Sequence, residues 1–186
     1  MIHLTSPTAS PSRPDDLSGD AHRRLIGWIG LLLPALLVVI TRARDGTERW
    51  HSLQSISHYY YTGAVAAFLG MLVALALFLL TYRGFANVNQ RFDHGAAIVA
   101  GLAALVVAFF PTAAPGGAPV LSWWTPLTGS LHLIAAAVLF LAFAFFALWL
   151  FPLPPTGRRE IGGWRNKVYV LCGVAILACI AWAFAN

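Results

Sequence analysis

Residues 63–82 read GAVAAFLGMLVALALFLLTY, a run without a single charged side chain. A helix rises 1.5 Å per residue, so about 20 such residues cross the roughly 30 Å hydrocarbon core of a bilayer. The run is read as a membrane-crossing helix. Residues 25–41, 95–110, 129–151 and 168–184 repeat the pattern. The expected fold is an all-α integral membrane protein, a bundle of five transmembrane helices.

Composition points the same way. Of 186 residues, 59% are hydrophobic and 10% charged, whereas soluble domains keep roughly a quarter of theirs charged. The charges gather in short blocks between the apolar runs. The net charge of +5 is therefore read as membrane orientation and attraction to anionic lipid; no nucleic-acid partner is expected. Cys172 and Cys179 lie seven apart on one expected helix, about 10 Å, too far to pair with each other.

Before the first run, residues 1–20 are rich in Pro, Ser, Thr and Asp and are expected as a disordered leader. Residues 21–186 are expected to form one transmembrane helical domain. Thr41-Arg-Ala43 offers small residues at the spacing of a signal-peptide cleavage site, but the acidic, proline-rich leader favours a retained helix. With the amino terminus in the cytoplasm and the carboxyl terminus outside, nine basic residues fall inside and only Arg42, Arg44 and Arg49 outside. That asymmetry obeys the positive-inside rule.

Two stripes of small residues predict contact between the second and third helices. Gly63, Ala67, Gly70 and Ala74 recur at i, i+4, i+7 and i+11, and Ala97, Gly101, Ala104 and Ala108 match them. Such stripes let backbones approach where lipid gives no drive to pack; an alanine-rich composition alone produces them equally well. Pro111 ends the third helix. The charge-free loop 112–128, with Trp123 and Trp124, is expected to lie in the interface.

Polar chemistry concentrates in Ser55-Ile-Ser-His-Tyr-Tyr-Tyr-Thr62. If residues 50–62 are α-helical, His51, Ser55, His58 and Thr62 form one stripe at i, i+4, i+7 and i+11. His132 lies about one turn inside the fourth helix on the same side. Ser55, His58, Thr62, His132, Trp123 and Trp124 thus outline a candidate outer-face pocket. His51, His58 and His132 could hold zinc there and activate water against a lipid amide or ester. His58 and His132 could instead ligate haem, or the pocket could hold a lipid headgroup or quinone. No HExxH spacing is present, and the plainer alternative is that these groups bond one another and cap helix ends. Tyr59, Tyr60 and Tyr61 read as an interfacial aromatic belt, and Asp93-His94 as the start of the third helix.

Together, SISHYYYT at 55–62, Tyr82-Arg-Gly84, Phe110-Pro-Thr112 and His132 resemble a group of uncharacterised small bacterial multi-pass membrane proteins. Over residues 25–150 that resemblance implies a bacterial inner-membrane location and no particular activity. A more distant similarity links Ser55, His58 and Asp93 to the ceramidase and progestin-receptor-like superfamily of membrane hydrolases. The serine stands three rather than four residues before His58, and the late histidine pair of that superfamily is missing. The reading that emerges is an accessory or assembly subunit that binds lipid, quinone or another hydrophobic cofactor at its outer face, within a homo-oligomer or larger membrane complex. A metal-dependent lipid hydrolase and a haem-binding redox subunit are the alternatives.

Overall fold

A computed structural model describes residues 14–46, 53, 55–83, 90–116, 118–152 and 163–185. Helix α1 runs Pro14–Asp45, a short 3-10 helix Ile56–Tyr61, α2 Val65–Thr81 and α3 Gln90–Phe109. Helix α4, Pro126–Phe145, continues into a π-helical turn, Phe146–Leu150, and α5 is Trp164–Ala185. The described residues contain no strand. Four helices are long and apolar enough to cross a membrane, over Arg24–Asp45, Gln90–Phe109, Pro126–Leu150 and Trp164–Ala183.

The fifth apolar helix, α2, has only 17 residues, about 26 Å of rise. It nevertheless packs into the core along its whole length. Phe68, Leu72, Leu75, Ala76 and Leu79 are buried along it. With Leu33 and Leu37 of α1, Val107 and Ala108 of α3 and Ala135 of α4, its first half builds one core cluster. Its second half joins Ala100, Ala103 and Ala104 of α3 to Leu139 and Ala142 of α4 in another.

Helix ends follow local chemistry. Helix α1 starts at Pro14; residues 1–13, the greater part of the expected leader, lie outside the described residues. Proline suits a first helical turn, where its missing N–H has no intrahelical acceptor to lose and its fixed φ is already helical. Pro34 sits inside α1 and withholds one backbone bond there. Helix α3 stops at Phe109, two residues before Pro111. Helix α4 starts three residues earlier than its apolar run, because Thr125 and Thr128 form a reciprocal capping box with Pro126 in the first turn. At its far end the turn widens: the Phe151 N–H donates to the Phe146 carbonyl at 2.8 Å, and Pro152 then prevents continuation.

The two small-residue stripes have different fates. Ala97, Gly101, Ala104 and Ala108 of α3 are all buried. On α2, Gly70 is exposed and a Cβ built there meets nothing within 4 Å. The α2 face that meets α3 carries Ala76 and Leu80 instead: a Cβ on Gly101 would lie 2.8 Å from Leu80 Cγ and 3.0 Å from the Ala76 carbonyl oxygen. Small residues on one helix suffice, because the larger side chains of the other fill the groove they leave.

Helix α5 meets the rest along one edge, where Gly173 abuts Leu148 and the Tyr169 ring lies tilted against Phe151, 5.3 Å between ring centres. Trp164, Leu171 and Trp182 are exposed, and so are the free thiols of Cys172 and Cys179.

Candidate functional site

The segment 55–63 closes one end of the bundle. Ser55 is extended, and the His58 N–H bonds back to its carbonyl at 3.1 Å, opening a helix with three rather than 3.6 residues per turn. That pitch dissolves the expected polar stripe. Ser55, His58 and Tyr61 now eclipse one another, and Ser57 turns to a different side. His51 lies outside the described residues.

Thr62 is structural. It is buried, accepts a hydrogen bond from Thr41 Oγ1 at 3.3 Å and donates to the Tyr59 carbonyl at 2.9 Å. Next to it the Gly63 N–H donates to Asp45 Oδ2 at 2.7 Å, and Arg44 Nη1 donates to the Gly63 carbonyl at 3.2 Å. A Cβ at Gly63 would sit 2.9 Å from Asp45 Oδ1 and 3.0 Å from Arg44 Cβ. Only glycine lets the end of α1 approach so closely.

The three tyrosines point three ways, as consecutive residues on a helix must. Tyr59 is buried in the core. Tyr60 packs edge-on against Phe68, 6.2 Å between ring centres. Tyr61 Oη donates to the Thr112 carbonyl at 2.6 Å, tying the segment to the loop after α3.

A second polar junction involves a residue absent from the expected pocket. Ser57 Oγ lies 2.8 Å from His132 Nε2, and His132 Nδ1 meets the Phe110 carbonyl. The carbonyl faces outward at the end of α3, beyond the reach of its helical bonds. A carbonyl only accepts, so Nδ1 carries the hydrogen and Nε2 the lone pair. Ser57 Oγ–H then donates to Nε2. His132 is 1% exposed, and Ser57 is half-buried.

The other expected residues stand apart from that junction. Ser55 is exposed. Trp123 is half exposed, and Trp124 lies against Gly129, one turn before His132. The indole N–H of Trp124 is buried without an acceptor among the described residues. As bonded here, His132 has no free nitrogen to offer zinc or haem, and His51 lies outside the described residues. Both nitrogens of His132 are engaged by protein groups, and no three His, Cys, Asp or Glu residues among those described converge.

His58 is half-buried, and burial lowers its pKa from the usual imidazole value. The folded protein therefore binds fewer protons at this site than the unfolded chain, whose imidazole titrates near about 6.5. This contribution is constant above that pH and is lost as the pH falls through it toward the lower folded value. Thermal unfolding in detergent is expected to shift to lower temperature between pH 7.5 and pH 5. A His58→Gln variant should show a smaller shift, and an equal shift would exclude His58 as a contributor.

At the opposite end, His94 Nδ1 donates to the Tyr82 carbonyl at 2.8 Å, and the buried Tyr82 ring stands edge-on to Phe146 at 6.4 Å. Asp93, in the first turn of α3, is 3% exposed.

Ser57 was not among the residues singled out by sequence, because α-helical spacing selects Ser55 with His58. Neither α-helical nor three-residue spacing sets Ser57 beside His58, so no pattern within the segment points to it. No family model, curated protein or solved structure matches the chain. Fold and site alone support a functional reading.

Proposed function

We propose that the chain is a five-span protein of a bacterial inner membrane that binds a membrane amphiphile, a lipid or a quinone, at the end closed by residues 55–63. It serves there as an accessory subunit of a homo-oligomer or larger membrane complex. Helix α2 counts as a span because Gly63, Ala64 and Tyr82 extend its apolar run to about 20 residues. The nine-to-three distribution of basic residues favours a cytoplasmic amino terminus and puts the closed end outside.

The observation that carries the binding reading is the Trp124 indole. A buried tryptophan N–H ordinarily finds an acceptor, and this one has none among the described residues. It belongs to a charge-free loop beside the exposed Trp123. An ester carbonyl or a quinone oxygen supplies the missing acceptor, and the surrounding indoles supply the apolar contact.

Native mass spectrometry of detergent-purified protein tests this. Wild-type protein should retain a lipid or quinone, and Trp124→Phe, which keeps an aromatic ring but removes the donor, should retain it about fivefold less. A fivefold loss corresponds to roughly 1 kcal/mol, one net hydrogen bond. Protein that retains no amphiphile, or a variant that retains as much as wild type, overturns the reading.

A further inference from the structure

We infer that Ser57 is an activated nucleophile, with His132 as its general base, directed at the carbonyl of a membrane ester. The inference rests on the amphiphile-binding reading, since the ester is the bound lipid itself. Three groups stand in line: the Phe110 carbonyl, the His132 imidazole and the Ser57 hydroxyl. Serine is a weak nucleophile unless an adjacent base takes its proton, and the base must be held in the right tautomer by a third group. Here the carbonyl holds Nδ1–H, so Nε2 presents its lone pair to Ser57 Oγ at 2.8 Å. Ser57 is half-buried and so retains exposed surface, whereas the base behind it is 1% exposed. The pair is also one helical turn from Gly129, on which Trp124 rests.

The chemistry balances with water as the only co-reactant. Ser57 Oγ attacks the ester carbonyl carbon, its proton passes to Nε2, and the carbonyl electron pair moves onto oxygen. Collapse expels the alcohol, which leaves with the Nε2 proton, and Ser57 carries the acyl group. Water then gives a proton to Nε2 as it attacks the acyl carbon. The carboxylic acid departs, and the proton returns to Ser57 Oγ. A neutral carbonyl stabilises the transient imidazolium less than a carboxylate does, so the turnover expected is slow.

The test uses the full chain in detergent with a fluorophosphonate probe, which forms a P–O bond to an activated serine and releases fluoride. Intact-mass and peptide analysis should find one adduct, on Ser57, absent from Ser57→Ala. Because His132 variants can fail to fold, Ser57→Cys and Ser55→Cys provide the second measurement, the ratio of iodoacetamide alkylation rates at pH 8.5 and pH 6. A free thiol, pKa about 8.5, slows by roughly two orders of magnitude. Ser55→Cys should do so, and Ser57→Cys should slow less than tenfold. Comparing each variant with itself removes differences in access. Protein that retains amphiphile but forms no Ser57 adduct, with the two cysteine variants slowing alike, overturns this inference and leaves the binding reading standing. An adduct on Ser57 in protein that retains no amphiphile supports the nucleophile and removes the binding reading.

Discussion

His132→Ala should destabilise the fold by about 2–5 kcal/mol. The imidazole is 1% exposed and bonds at both nitrogens, to Ser57 and to the Phe110 carbonyl. Hydrogen bonds inside membrane proteins average about 0.6 kcal/mol and reach about 1.7, so two account for roughly 1–3. Truncation also leaves a cavity among helices that cannot fully collapse, adding about 1–2 kcal/mol. Glutamine at this position can still donate with its amide nitrogen and accept with its oxygen, and should lose about half as much. Reversible unfolding in mixed detergent micelles measures both variants. An alanine variant within about 0.5 kcal/mol of wild type would mean that other bonds hold this end.

Gly101→Leu should prevent α2 and α3 from packing, with a loss of at least about 3 kcal/mol. Alanine already places a Cβ 2.8 Å from Leu80 Cγ and 3.0 Å from the Ala76 carbonyl oxygen. The side chain of Leu80 has other rotamers, but a backbone carbonyl inside a helix has nowhere to go. The matched control is Gly70→Leu, where a Cβ meets nothing within 4 Å. It should be neutral within about 0.5 kcal/mol. Size-exclusion profiles and thermal midpoints of the two variants decide the matter. Equal damage from both would place the α2 contact on the wrong face.

These two glycines show what sequence could and could not convey. All five apolar runs became helices, since each holds 16 to 23 residues without an Asp, Glu, Lys or Arg. Pro111 and Pro152 stand where α3 and the turn after α4 stop, because a missing donor acts locally. Which side of α2 faces inward was not legible. Small and large apolar residues surround that helix on every side, and only the shape of α3 chooses among them.

The site was legible as a region and misleading in detail. SISHYYYT did prove to be the polar closure of one end. Its pitch was not readable, because six residues held by tertiary bonds adopt whatever turn those bonds require. Ser57, outside the expected pocket, is the residue that meets His132. Thr41, Asp45 and Thr112 were equally hidden. Two act from α1 and one through its backbone, and no pattern within the segment names a partner 18 to 51 residues away.

Each long helix rests on the one made just before it: α2 on α1, α3 on α2, α4 on α3 and α5 on α4. During synthesis, therefore, every new helix meets a finished partner on arrival, and the order of translation is also the order of assembly. The segment 55–63 is the early exception. Its bonds to Thr41 and Asp45 can form at once, but those to Thr112 and His132 await α3 and α4. A half-made chain holds Ser57 and Tyr61 without their final partners, and α4 is the piece that completes the closure. Helix α5 arrives after that and, among the described residues, packs on α4, the turn that extends it and Phe151, so the closed end is complete before the last helix leaves the ribosome.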